Sequence, residues 1–407
     1  MSTSRFASPL QKKDELLLSD GKLQIQSQIA QLITKDPGIS RADLAKITGL
    51  ARSTIAEYLQ PLMDCGLVIE QRGHYSGRGR PSNGLTLNSK AGVVLVADIG
   101  VTHGRLLVSD LAGTWLADEY FKPDLTIGPE KLLDEIVDRF NQLVIQSGSA
   151  ELAVRSVTIG IPSPVDFEKG MPVSPPVMPG WDNFPVAKYL KERLKAPVLV
   201  DNDVNLMALG EASSRPISQS PLLFIKVATG IGSGIVTKDG ELHRGADGAA
   251  GDIGHIRVTK DTAVICRCGN VGCIEALASA SAIMRQLQEI KGADFDPNTE
   301  LATLISTGDA QAVRLLRNAA SEIGEIVAML VHIYNPASII LGGKLAHMSD
   351  DLLAGIRAVV YRRALPLATR KLLIEKSELS KDAGLIGGVS LATSKVLSPA
   401  GIRDLIS

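Results

Sequence analysis

Apolar residues along the chain follow two rhythms, and the change between them falls near residue 91. Before it, they recur at helical spacing. Leu23, Ile25, Ile29, Leu32 and Ile33 mostly form one stripe, which Pro37-Gly38 ends. Ser40 with Asp43 three residues later reads as an N-cap, and Leu44, Ala45 and Ile47 give a second helix its inner face. Gly49 makes a tight turn, and a third helix is predicted from about Ala51 past Tyr58, closing before Gly66. Leu67–Glu70 reads as a strand and Leu85–Asn88 as its return. After residue 91 the apolar runs become short and continuous, as in buried strands: Val93–Ala97, Leu106–Val108, Trp115–Phe121 and Leu222–Val227. The reading is therefore an extension over 1–20, a small helical unit with a hairpin over 21–90, and an α/β body over 91–407.

Helix, Gly-containing turn, helix is the helix-turn-helix pattern, whose last helix reads DNA. Arg52, Ser53 and Thr54, with Glu57 and Tyr58 one turn on, supply donors and acceptors for phosphates and base edges. The Gly- and Arg-rich stretch 71–82 lies between the two strands and makes a wing with Arg78 and Arg80 at its tip, suited to a narrow minor groove. A winged helix that binds protein is the alternative these residues leave open.

Whole-chain charge hides this. The 407 residues carry 43 Lys and Arg against 44 Asp and Glu, net −1. Residues 1–90 hold 12 basic and 8 acidic residues, net +4, leaving −5 on the body. An apolar content of 45% argues against general disorder, and four cysteines make no disulfide framework. No membrane-length apolar run and no signal-peptide pattern are present, so a cytoplasmic protein is expected.

In the body, the first strand ends in Asp98-Ile-Gly100-Val-Thr102, an Asp-x-Gly turn before two further strands, as a phosphate-facing hairpin needs. A second Gly-rich turn is predicted over Ala228–Gly234, including Thr229 and Gly230, with Ile235–Thr237 as the return strand. It is neither a Walker loop nor a Rossmann fingerprint. Between them a strand ends in Asp201-Asn202-Asp203, at the sheet edge where α/β proteins bind ligands. A carboxylate there can accept a hydroxyl proton. Finally, His255 precedes Cys266, Cys268 and Cys273; one His and three Cys match a closed structural zinc site. Asp252 and Glu275 flank that loop, and with the second nitrogen of His255 they suit a polyhydroxylated ligand.

Together these pieces resemble the ROK family of repressors and sugar kinases, in its N-terminally extended regulator branch. The resemblance covers nearly the whole chain. It rests on Cys-x-Cys-Gly-x-x-Gly-Cys-x-Glu at 266–275 and Gly-x-x-Gly-His at 251–255, with Gly160-Ile-Pro-Ser-Pro164, Pro179-Gly-Trp-Asp182, Asn335-Pro336 and Ile339-Ile-Leu-Gly-Gly343 in support. It implies a winged helix-turn-helix joined to a two-lobed actin-like, ribonuclease-H-like ATPase (sugar kinase) fold. It further implies Asp203 at the catalytic-base position of the kinases, and Asn202, Asp203, Asp252, His255 and Glu275 as sugar contacts. His255, Cys266, Cys268 and Cys273 are then the zinc ligands, and Gly342-Gly343 lie where the kinases hold adenosine.

Two departures weigh on Mg-ATP: Val101 replaces a Gly of the first loop, and Ala228 stands where the second usually has Gly. A third, Asp252 in place of a Glu, shortens the reach to a sugar hydroxyl and bears on which sugar fits. The expectation is a sugar-responsive repressor acting as a homodimer or homotetramer on operator DNA, with a sugar or sugar phosphate as effector. An ATP-dependent sugar kinase with a DNA-binding head is the alternative.

Overall fold

A computed structural model describes residues 9–72, 83–261, 263–292, 295–296 and 299–407, with side chains described from residue 21 onward. Its first unit is helical. α1 (Pro9–Lys35) starts well before the stripe that predicts it and crosses residue 21. α2 (Arg41–Thr48) is capped by Ser40, whose Oγ accepts from the Asp43 N–H at 3.1 Å. Gly49 closes that helix at φ +72°, a conformation L side chains rarely adopt. α3 (Arg52–Asp64) follows, then the antiparallel strands β1 (Val68–Arg72) and β2 (Asn83–Leu87). The wing arginines Arg78 and Arg80 lie outside the described residues.

Among the described residues the body has two large sheets. In the first lobe, β3 (Val93–Ile99), β4 (Gly104–Asp110) and β5 (Trp115–Phe121) form the antiparallel run read from sequence. After α4 (Pro129–Gln146) the chain returns in β6 (Val154–Ile161), parallel to β3. A small ladder of β7 (Val165–Asp166) and β8 (Met171–Pro172), then α5 (Val186–Leu194), leads to β9 (Val198–Asn202), parallel to β6. The order is β5-β4-β3-β6-β9. Register pairs Asp98 with Gly160 and Gly160 with Asp201, so three strands end side by side at one edge.

α6 (Asp203–Ser213) leaves that edge and packs against the second sheet. There β10 (Leu222–Val227) pairs antiparallel with β11 (Ile231–Val236). The zinc-type loop, α7 (Ile274–Ala278), α8 (Ala280–Lys291), α9 (Leu301–Ser306) and α10 (Ala310–Tyr334) follow. β12 (Ser338–Gly342), α11 (Lys344–Met348), α12 (Asp350–Arg363), α13 (Pro366–Thr369) and β13 (Leu373–Lys376) complete the lobe, in order β11-β10-β12-β13.

The chain then recrosses to the first lobe. α14 (Ala383–Val396) packs on α6 and on the back of β3 and β6, and α15 (Pro399–Ile406) packs on α1. Glycines permit this. A Cβ on Gly387 would sit 1.8 Å from the Leu206 carbonyl oxygen, and one on Gly388 2.2 Å from Val96. One apolar core consequently runs from Ile29, Ile33 and Leu59 of the helical head, through Val396 and Ile402, to Val94 and Val96 of the body. Among the described residues no single helix is long and apolar enough to cross a membrane; the apolar α14 is buried by these contacts.

Candidate functional site

The carboxyl ends of β3, β6, β9, β10 and β12 gather the chemistry in one cleft. Asp98 is buried at the end of β3, its carboxylate against Gly384 of α14, where an added Cβ would lie 2.3 Å from Oδ2. Burial and the charge of Asp203 raise the Asp98 pKa to about 7, against the opposing pull of Lys226 and Arg105. In the turn that follows, the His103 ring lies against the Gly100 backbone, and Thr102 is exposed.

In the Asp-Asn-Asp triplet both carboxylates meet cations of the segment after α6, Asp201 at Arg244 and Asp203 at Lys226. Asp201 is clamped by Arg244 at 2.6 Å and by the Asn205 amide at 2.7 Å. Asn202 caps α6, its Oδ1 accepting from Val204 N–H at 2.9 Å, and its Nδ2 donates to the Ser163 carbonyl at 2.9 Å. Asn202 therefore already uses both polar groups on the protein. Asp203, 4% exposed, pairs through Oδ2 with the ammonium of Lys226 on β10. Sequence reading missed Lys226; the available signal was a lone charge in the apolar strand Leu-Leu-Phe-Ile-Lys-Val.

The second Gly-rich turn is shorter than expected. Only Ala228–Gly230 turn, because Ile231–Gly234 already belong to β11. Gly232 and Gly234 face α6 rather than a ligand: added Cβ atoms would lie 3.1 Å from Val204 and 2.5 Å from Ala208. These glycines serve helix packing. Glu275 anchors the turn itself, accepting from the Ile231 N–H at 3.0 Å while its carboxylate fills the space beside Gly230. Gly342 packs on the Phe224 ring and Gly343, at φ +86°, on the Val227 backbone.

His255, Cys266, Cys268 and Cys273 come together as expected, with one ligand atom from each within 4.8 Å of all the others. His255 Nδ1 faces Cys266 Sγ at 3.6 Å, and Nε2 faces Asp252 Oδ1 at 4.0 Å. One nitrogen thus points into the thiol cluster and the other to the carboxylate on the cleft side. Among the described residues this cluster can hold a metal ion. Burial, with the neighbouring Cys268 and Cys266 thiols, pushes the Cys273 thiol up to about 12, so a bound dication must displace protons.

On the head, α3 exposes Arg52, Ser53 and Glu57, with Gln60 one turn further on the same face. Thr54 is half-buried, Glu57 pairs with Lys22 at 3.6 Å, and Tyr58 packs into the head's core. Gln60 is a further exposed position of α3, its amide donating to Asp64 at 2.7 Å.

A winged-helix head on a two-lobed sugar-kinase-like body, with an acidic interlobe cleft beside a His/Cys₃ cluster, defines the class of protein. Residues 94–395 match the ROK family and residues 23–69 a winged helix-turn-helix DNA-binding family, and the chain belongs to the ROK family. It is 28% identical to the xylose repressor of Caldicellulosiruptor bescii over 373 residues, 88% of this chain and 93% of that protein. It is 30% identical to a glucokinase of Halalkalibacterium halodurans over 306 residues, 72% of this chain and 92% of that one. A solved ROK family transcriptional regulator, described as a homolog of the Escherichia coli Mlc protein, superposes at TM-score 0.80 with 25% identity, covering 95% of this chain and 99% of its own.

Proposed function

We propose that this chain is a sugar-responsive transcriptional repressor of carbohydrate-utilisation genes. The observation that carries the reading is the single core joining the DNA-binding head to the back of the sugar-type cleft. α14 begins beside Asp98, packs along the helix that starts at Asp203, and ends where α1 docks. A ligand that closes the lobes shifts α6 against α14 and re-aims the head. Effector and operator then oppose each other reciprocally, typically by about 1–3 kcal/mol. Likeness to repressors along nearly the whole chain, and to kinases along the body alone, supports this order of readings.

The effector is a sugar or sugar phosphate held by Asp203, Asp252, His255 and Glu275; Asn202 contributes by positioning α6 and the Ser163 loop. Zinc is the metal of the His/Cys₃ cluster, because that donor set suits a closed tetrahedral zinc site. It holds His255 rigid at the cleft wall. The DNA contacts are Arg52, Ser53, Thr54 and Glu57 of α3 with Arg78 and Arg80 of the wing, with Tyr58 supporting the helix from its inner face. The protein acts in the cytoplasm as a homodimer or homotetramer, on a near-palindromic operator. α10 and α12 run side by side, Ala320 against Gly355 and Gly324 against Val359. This brings exposed Met329, Ile333, Tyr361 and Leu365 to one end, where a second copy has apolar surface to cover.

The deciding experiment measures operator affinity and thermal stability across a panel of hexoses, pentoses, amino sugars and their phosphates, with and without Mg-ATP. A ligand that stabilises the protein and weakens operator binding is expected. No response to any sugar sinks the proposal. The second reading, a kinase with a DNA-binding head, is favoured by the retained Asp203 at the start of α6. ADP release that Asp203→Asn abolishes would establish it.

A further inference from the structure

The cleft as built does not fit a metal–nucleotide complex, and one side chain is the reason. Lys226 is flanked on β10 by Ile225 and Val227, which point into the core of the second lobe. Strand alternation therefore turns Lys226 the other way, towards α6. Its ammonium pairs with Asp203 across the lobes, the two side chains only 16% and 5% exposed. Asp98 of β3 and Glu275 of α7 also act on that ammonium through their charges. One cation is thus in direct contact with Asp203 and within the electrostatic reach of carboxylates from two further segments.

We infer that Lys226 is a tethered counter-ion standing where a divalent cation would be needed for phosphoryl transfer, and that it commits this cleft to sensing a ligand without nucleotide. Several carboxylates withdrawn from water require a compensating charge. In phosphoryl transfer that charge is a hard dication that bridges carboxylates and phosphate oxygens. An ammonium on a four-carbon stem neutralises Asp203 but coordinates nothing and cannot arrive or leave with a nucleotide. It also occupies one oxygen of Asp203, the carboxylate at the base position. Asp203 is left as a hydrogen-bond acceptor, which suits recognition. The inference deepens the non-catalytic reading above and rests on it, but its readout is metal uptake and does not involve DNA.

The test uses the full-length protein loaded with zinc, and Mn²⁺ alone as the probe, followed by electron paramagnetic resonance and by thermal shift. Wild type is expected to show no Mn²⁺ site sensitive to Asp203→Asn. Lys226→Met is expected to be destabilised, to gain a site with affinity raised about tenfold or more, and to recover stability as Mn²⁺ is added. Adding Asp203→Asn to Lys226→Met should abolish the gain. Lys226→Met/Asp98→Asn also removes a second buried ionisable carboxyl and serves if the single variant does not fold; it should bind Mn²⁺ through Asp203. A folded Lys226 variant that takes up no Mn²⁺ overturns the inference, as does a wild-type site that Asp203→Asn removes. Loss of sugar response in the operator assay, with the Mn²⁺ results as expected, would count against the repressor reading alone.

Discussion

Ser27 in the head donates its hydroxyl to the carbonyl oxygen of Leu397, at 2.7 Å, in a buried contact spanning 370 positions of sequence. Leu397 is the residue after α14, and the bond satisfies a carbonyl at that helix's end. The DNA reader is therefore fastened to the helix whose other end touches the cleft carboxylate Asp98.

Ser27→Ala should cost about 1 kcal/mol of stability, since it removes one buried hydrogen bond. Its larger effect is expected on coupling: operator affinity within a few-fold of wild type, with the sugar-induced loss of affinity reduced. Fluorescence anisotropy with and without effector measures both. Full coupling in the variant would show that the head is driven by another route.

Asp98 makes stability depend on pH in a set direction. The folded protein keeps that proton up to about pH 7, whereas an unfolded chain releases it near pH 4. The stabilisation it supplies is complete below about pH 4 and is lost as pH rises through 7, about 4 kcal/mol in all. Asp98→Asn should match wild type near pH 4 and become progressively more stable than it towards pH 8. Parallel melting curves across that range would refute the assignment.

Gly387→Ala should be among the most damaging single changes, because α6 and α14 must separate to admit a Cβ 1.8 Å from the Leu206 carbonyl. A cost of about 2–4 kcal/mol is expected. Gly21→Ala is the control: it lies within α1 with nothing within 4 Å of the added carbon. There the substitution should be neutral or stabilise by up to about 1 kcal/mol. Chemical denaturation of the two variants compares them.

Removing the metal should act on the loop first. Chelation, or Cys266→Ser, is expected to raise hydrogen exchange over 252–275 and remove the sugar response while operator affinity persists, because the apolar packing between head and α14 does not involve that loop. Simultaneous loss of both activities would mean the metal supports the whole fold.

Alanine at Arg52 should weaken operator binding and reduce its salt dependence, each lost phosphate contact changing the log–log slope by about 0.9. The same holds for Arg78 and Arg80 if the wing enters the groove. Gln60→Ala tests the exposed face of α3 further along; a change in base preference without a change in salt slope would mark it as a base reader.

Much of this protein was legible along the chain. The capped α2 with Gly49 behind it, the buried run at Val93–Ala97 and the His/Cys₃ spacing are all local patterns with local causes; the strand extends two residues beyond that run, to Ile99. What needed the tertiary structure was the destination of residues whose partners are remote in sequence. Gly232 and Gly234 look like a phosphate turn until α6 is seen lying on them. Asp201, Asn202 and Asp203 look equivalent until Arg244, Ser163 and Lys226 divide them among a clamp, a cap and an interlobe pair. α14 reads as one more apolar helix, yet its glycines let it run between cleft and head. Spacing within a segment sets which groups are available. Which of them face each other is decided by packing between segments hundreds of residues apart, and no periodicity encodes that.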